Sequence, residues 1–313
     1  MPWRIYKHDD TSAPVLNGTR GSLIALLDAC LVNGYGSQPA AGWSKPFTDT
    51  NRAAFRMGSG RLRAYLRVDE ANSTLATEAR IQSFEGMTDI DSGTDPVASA
   101  GHLILKKSAA ADSSSRQWWL AADDRTFVLF THYDASGVVS GTYFGEFFSF
   151  LPNDDYGVAL ISRYWENTNN WIAGIEGIGM TAQAGYSAMN GHYVFRDSTG
   201  LVKSPQCDVV AGFGDIANCN GTVAFPNPAN GGLLLAPLFI RMSDAPGVVL
   251  RGRLRGIWAP SHPYTAITYA QGDTVGGVGQ LTGRSFLHVG RVANSANTNG
   301  RMFVEASDTV ERN

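Results

Sequence analysis

A chain of 313 residues with 43% hydrophobic side chains can build a large core, as two domains or as one large β domain. A net charge of −3 and a pI near 6.1 leave no basic footprint for general nucleic-acid binding. Only 17% of residues are charged while 35 are glycine, a balance that predicts a turn-rich β protein partly covered by neighbours.

The N-terminus, MPWRIYKHDD, lacks the apolar stretch of a secretory signal, and no apolar run approaches the roughly 18–20 residues that span a bilayer. These features predict assembly in a cytosol, where Cys30, Cys207 and Cys219 are expected as free thiols. Trp3–Tyr6 reads as a short strand. The one helical stretch is Gly21–Gly36, assigned to about residues 20–33. Leu23, Leu26, Leu27, Cys30 and Leu31 share one apolar stripe there, with Thr19 or Ser22 as cap and Asn33–Gly34 as stop. An irregular loop follows, carrying Tyr35, Trp43 and Phe47.

Asn51–Met57 and Leu62–Val68 flank Gly58–Gly60 as a hairpin, and Arg61, Arg63, Tyr65 and Arg67 are expected on its outer face. Ala79–Phe84 reads as a strand, Asp91–Asp95 as a loop and His102–Lys107 as a strand. Trp118–Ala122 and Thr126–His132 around Asp123–Arg125 form the clearest hairpin of the chain. Gly141–Phe150 and Tyr156–Tyr164 continue the meander in its most aromatic part. A Gly/Ala-rich passage at Gly174–Gly191 suggests a boundary near residue 172, between a helix-plus-sheet domain (1–172) and a β-rich lobe (173–313). In that lobe the strands expected are His192–Arg196, Leu201–Lys203, Leu233–Met242, Val248–Trp258, Ser285–Val289 and Arg301–Glu305. Arg251, Arg253 and Arg255 alternate as an outward strand face would. No fixed-period repeat is present.

Motifs for chemistry are weak. Asp123–Asp124, Asp154–Asp155, Glu146 and Glu166 are the carboxylates to consider for sugar hydrolysis, but the two pairs sit in turns that favour aspartate for local reasons. The histidines are scattered, and there is no G-x-S-x-G elbow, dinucleotide fingerprint or short-spaced metal-ligand set. No catalytic, cofactor-binding or metal residue is assigned. Trp118, Trp119, Trp165 and Trp171 would suit a carbohydrate face. Neighbours on a strand point opposite ways, so one of Trp118 and Trp119 is expected in the core and the other at a subunit interface.

The run APVLNGTRGSLIALLDACLVNGYGSQPAAGWSKPF, Ala13 to Phe47, resembles a family of uncharacterised structural proteins of tailed bacteriophages. NRAAFRMGSGRLRAYLRVDE, FEGMTDIDSGTDP, RGRLRGIWAPSHPY and GDT…LTGRSF are similar to further phrases of such virion proteins. The resemblance implies a virion component of the tail or neck and transfers no catalytic residue. The resulting expectation is a mainly β, sandwich or barrel-like fold with one N-terminal helix. Its function is a non-enzymatic structural role in the virion, assembled in the host cytoplasm. Its partners are other copies of itself and other virion proteins, without membrane, nucleic acid or cofactor. The candidate interface residues are Tyr35, Trp43, Phe47, Trp118, Trp119, Arg251, Arg253 and Arg255. A host-carbohydrate or receptor-binding tail protein is the alternative, and a glycan-degrading tail enzyme stands third.

Overall fold

A computed structural model describes residues 1–97, 101–132, 139–163, 191–211, 223–244, 247–263, 266–293 and 299–307. The fold is mainly β, with three sheets whose strand pairs are all antiparallel. The first sheet runs in the order β1 (Arg4–Lys7), β8 (Trp118–Ala122), β9 (Thr126–His132), β10 (Val139–Glu146), β12 (Val158–Ile161) and β13 (His192–Val194). The second runs β2 (Ser44–Asp49), β3 (Arg52–Arg56), β4 (Tyr65–Asp69), β5 (Glu78–Asp89) and β6 (Ser92–Val97), with β7 (Leu103–Lys106) also on β5. The third runs β14 (Asp208–Ala211), β15 (Leu235–Asp244), β16 (Gly247–Pro260), β19 (Asn299–Glu305), β18 (Ser285–Ala293) and β17 (Thr274–Gly276). A two-residue strand, β11 (Phe148–Ser149), also pairs with β16.

The first sheet has a hydrophobic core on each face. Trp118, Leu120, Phe127, Leu129, Phe144 and Leu160 pack with the helix and the second sheet. Trp119, Ala121, Val128, Phe130, Tyr143 and Ile161 pack with the third. Alternation along the strands therefore sends neighbouring side chains into two different cores. Trp118 and Trp119 are both buried, which corrects the expectation that one of them is a contact residue. The signal was present: WWLAA and TFVLF are continuous apolar runs, the pattern of strands buried on both faces.

The stripe Leu23, Leu26, Leu27, Cys30 and Leu31 is fully buried against the second sheet's core, as its spacing predicts. The helix itself is shorter and less regular than expected. One α-helical segment, α1 (Ser22–Leu27), passes into a π turn over Asp28–Asn33. Neither Thr19 nor Ser22 caps it: Gly21 is the N-cap, and the Ile24 N–H donates to Glu70 Oε2 at 3.1 Å. At the other end, the Cys30 and Leu31 carbonyls accept from Ala41, Gly42 and Trp43 N–H groups at 3.0–3.1 Å. The returning loop thereby satisfies carbonyls that a helix end leaves open.

Two segments expected as loops are strands. Ser44–Asp49 pairs with β3 and Ser92–Val97 with β5, both as exposed outer strands containing proline. An edge needs no donor on its free side, so Pro46 and Pro96 are tolerated there. The hairpin Trp118–Ala122/Thr126–His132 has the bounds read from the sequence. The boundary near residue 172 falls within 164–190, outside the described residues. On its two sides, β12 and β13 are adjacent strands of one sheet.

Candidate interaction surface

The described residues cover the outer face of the third sheet over only half its length. At one end, Leu233, Leu235, Trp258, Ile267, Val275, Phe286 and Phe303 form a small core under the flanking loops. Two buried histidines pin those loops. His262 accepts the Leu234 N–H on Nε2 at 2.7 Å and turns Nδ1 toward the Val223 carbonyl at 3.1 Å. His288 Nδ1 lies 2.9 Å from the Ala270 carbonyl. Burial, the largest influence, holds the His288 pKa below its usual range.

At the other end the described residues leave the sheet open. A crosswise row of register partners, Val210, Phe239, Arg253 and Phe148, is half-buried throughout. The Arg253 guanidinium lies 4.8 Å from the centroid of the Phe148 ring. Phe150 packs on Phe148 and Phe239 at 6.1 and 6.2 Å while remaining 47% exposed. Leu250, 52% exposed, sits opposite Arg241, whose guanidinium binds Asp208 at 3.0 Å. Phenylalanine and arginine on an exposed apolar face are the composition enriched at protein interfaces.

Of the three arginines expected outward on β16, only Arg253 lies on this face. Arg251 and Arg255 are buried. Arg251 binds both oxygens of Asp154, at 3.0 and 2.9 Å, and Arg255 binds Asp123 at 2.7 Å. The cause is a pair of irregularities in the β15–β16 register, between Ile240 and Arg241 and between Pro237 and Phe239. Each bulge breaks the alternation and re-aims an arginine inward. Gly252 and Gly256 within the strand were the available sign. Gly256 has φ +68°, and a Cβ there would meet the Trp3 ring at 2.4 Å.

The remaining candidate contacts are mostly internal. Trp43 is buried, donates from Nε1 to the Asp123 carbonyl at 2.7 Å and packs on Phe127 and Phe144. Tyr35 is half-buried and donates its hydroxyl to Asp10 at 2.8 Å; burial, then that bond, raises its pKa. Phe47 stacks on Tyr65 at 6.4 Å on the far face of the second sheet. Of the expected outer-face arginines, Arg67 lies over Phe84 at 5.5 Å, whereas Arg61 and Arg63 precede β4. Trp118 and Trp119, the proposed sugar platform, offer no exposed ring, and Trp165 and Trp171 lie outside the described residues.

The carboxylates proposed for acid–base work are tied up in ion pairs. A cleft of about 610 Å³ brings together Arg61, Glu146, Phe150, Asn153, Asp154 and Asp155. Within it Glu146 accepts the Arg61 N–H at 3.0 Å and Arg125 at 3.3 Å, while Asp155 pairs with the Arg61 side chain at 2.8 Å. Burial alone would raise the Asp154 pKa, but the Arg251 and Ser149 bonds outweigh it and hold the carboxyl below its usual range. Asp124 is likewise depressed, its burial offset by the N-terminal ammonium at 2.7 Å and by Ser59. Neither group is a proton donor near neutral pH. Glu166 lies outside the described residues.

Cys30 and Cys207 are buried free thiols whose pKa values burial pushes up, which makes them poor nucleophiles. Cys219 lies outside the described residues. Among the described residues no group of three or more metal-ligating side chains is assembled, and no helix is long and apolar enough to cross a membrane. Compared with protein-family models and with curated proteins, the chain matches none.

Proposed function

We propose that the chain is a non-enzymatic structural protein of a tailed-phage particle, in its tail or neck, that self-associates and binds other virion proteins. The observation that carries this reading is the half-face of the third sheet that the described residues leave open, with Phe148, Phe150, Phe239, Leu250 and Arg253 on it. Exposed aromatic and aliphatic side chains on a rigid sheet lose little conformational freedom on docking, which suits a permanent contact. The phage assignment itself rests on the resemblance of Ala13–Phe47 and the later phrases. In the same reading the layers are two β-sandwiches that share the first sheet, an arrangement stiff enough to carry load between neighbours. Proteomics of the purified particle tests the assignment. The chain is expected in repeated copies, and its absence from particles sinks the proposal.

A further inference from the structure

The loops over the covered end of the third sheet are fastened at His288 and His262, which are 2% and 0% exposed. Each uses one ring nitrogen as an acceptor. His288 lies two residues beyond Phe286 on β18, hence on the face that carries the small outer core. The Ala270 carbonyl, 2.9 Å from Nδ1, can only accept, so the ring proton is on Nδ1. Nε2 is then a lone pair. Arg301 Nη1 donates to it at 3.3 Å and to the Tyr269 carbonyl at 3.1 Å. Backbone bonds close the same loop: the Gly272 N–H donates to the His288 carbonyl and the His288 N–H to the Asp273 carbonyl, each at 2.8 Å. His262 is arranged alike. The Leu234 N–H can only donate, so Nε2 accepts it and Nδ1 holds the proton for the Val223 carbonyl.

Both positions therefore require a neutral ring. A proton added at His288 Nε2 sets an N–H against the Arg301 N–H and a cation beside a cation. One added at His262 Nε2 sets an N–H against that of Leu234. The charged groups facing His288 are Arg301 on β19, which opposes protonation, and Asp273 in the loop, which favours it; burial is the largest influence and also opposes it. The described partners of His262 are the Phe225 ring at 5.2 Å, Leu234 and Val223, none of them charged.

What the histidines hold is separable from the rest of the molecule. Ile267 and Tyr269 from one loop and Phe225 from the other pack with Trp258, Phe286 and Phe303, and the Phe225 and Tyr269 rings meet at 5.6 Å. Ile257, Leu287 and Val304, next to those residues on the same strands, belong instead to the core shared with the first sheet. The loops can leave while the sheet stays held from its other face.

We infer that the covered end of the third sheet is an acid-sensitive latch. Protonation of His288 and His262 releases residues 266–273 and 223–232 and bares Trp258, Phe286 and Phe303 beside the half-face that is already open. The sign follows for His288 from a ring kept neutral by the closed form. Its contribution to closure is complete above the free histidine value, about 6.5, and is lost as pH falls through the lower value of the closed form.

The test is amide hydrogen exchange of the full chain by mass spectrometry from pH 7.5 to pH 5, with rates corrected for the intrinsic pH dependence of exchange. Peptides covering residues 266–276 and 223–235 are expected to lose about tenfold in protection at pH 5, while the β8–β9 hairpin keeps its own. The amide of His288→Gln carries a donor and an acceptor but does not titrate, so the loss there is expected to shrink to about threefold. Equal protection at both pH values overturns the inference, as does a loss shared by the β8–β9 hairpin, which is global unfolding. A full loss that survives in both His288→Gln and His262→Gln also overturns it. The wild-type comparison decides even where a variant fails to fold.

Discussion

Arg251 and Arg255 reach their carboxylates across sheets. Arg255 on the third sheet binds Asp123 in the β8–β9 turn of the first, and the same carboxylate receives the Arg125 and Thr126 N–H groups at 2.9 and 3.0 Å. Removing the cation leaves a buried carboxylate uncompensated, so Arg255→Ala is expected to cost ~3–5 kcal/mol in denaturant unfolding. Asp154 gives a pH signature. Its folded pKa lies below that of the unfolded chain, so its stabilisation is complete above about pH 5 and is lost as pH falls through the folded value. Asp154→Asn is expected to lower the urea midpoint at neutral pH and to flatten the acid limb of midpoint against pH. An unchanged acid limb would refute the pairing as a source of stability. These residues were misread in the sequence because alternation was extended through Arg251–Arg255 without allowing for bulges. Charge and spacing were visible, but the partners Asp154 and Asp123 lie 97 and 132 positions away in the chain.

Elements with strong local patterns were legible. The stripe from Leu23 to Leu31 and the hairpin from Trp118 to His132 were both readable, because their periodicity and turn residues agree with their tertiary surroundings. Edge strands were not. SKPF and SGTDP lack strand-like composition, and they are held by pairing to β3 and β5 rather than by a buried face of their own. The helix start was also hidden, since its N-cap Gly21 has no side chain to offer and the Ile24 N–H is met by the distant Glu70, which also pairs with buried Lys107. Within β16, Gly256 shows why a bulge is written as glycine. Gly256→Ala adds a methyl that strains φ +68° and meets the Trp3 ring. The expected loss is ~2–4 kcal/mol, read as a lower melting temperature without change in the far-UV spectrum. A neutral outcome would mean that the bulge can relax.

At the scale of the molecule, the first sheet has a hydrophobic core on each face, one shared with the helix and the second sheet and one with the third. Among the described residues, the far face of the second sheet carries the small cluster of Phe47, Ala54, Tyr65, Phe84, Met87 and Ile90, crossed by Arg56 and Arg67. The described residues leave one half of the third sheet's outer face open. That surface was only partly legible: Arg253 is singled out by its place in the alternation, but nothing in the local pattern of Gly141–Phe150 or Leu233–Met242 separates Phe148, Phe150 and Phe239 from the core aromatics. The central claim is that this half-face is where copies of the chain meet. The direct measurement is mass photometry across a dilution series of the wild type and of Phe150→Glu, chosen because that side chain is half exposed and its loss leaves the cores intact. Oligomers in the wild type that dissociate in Phe150→Glu are the predicted result. A wild type that stays monomeric at every concentration, or oligomers indifferent to Phe150→Glu, would contradict it.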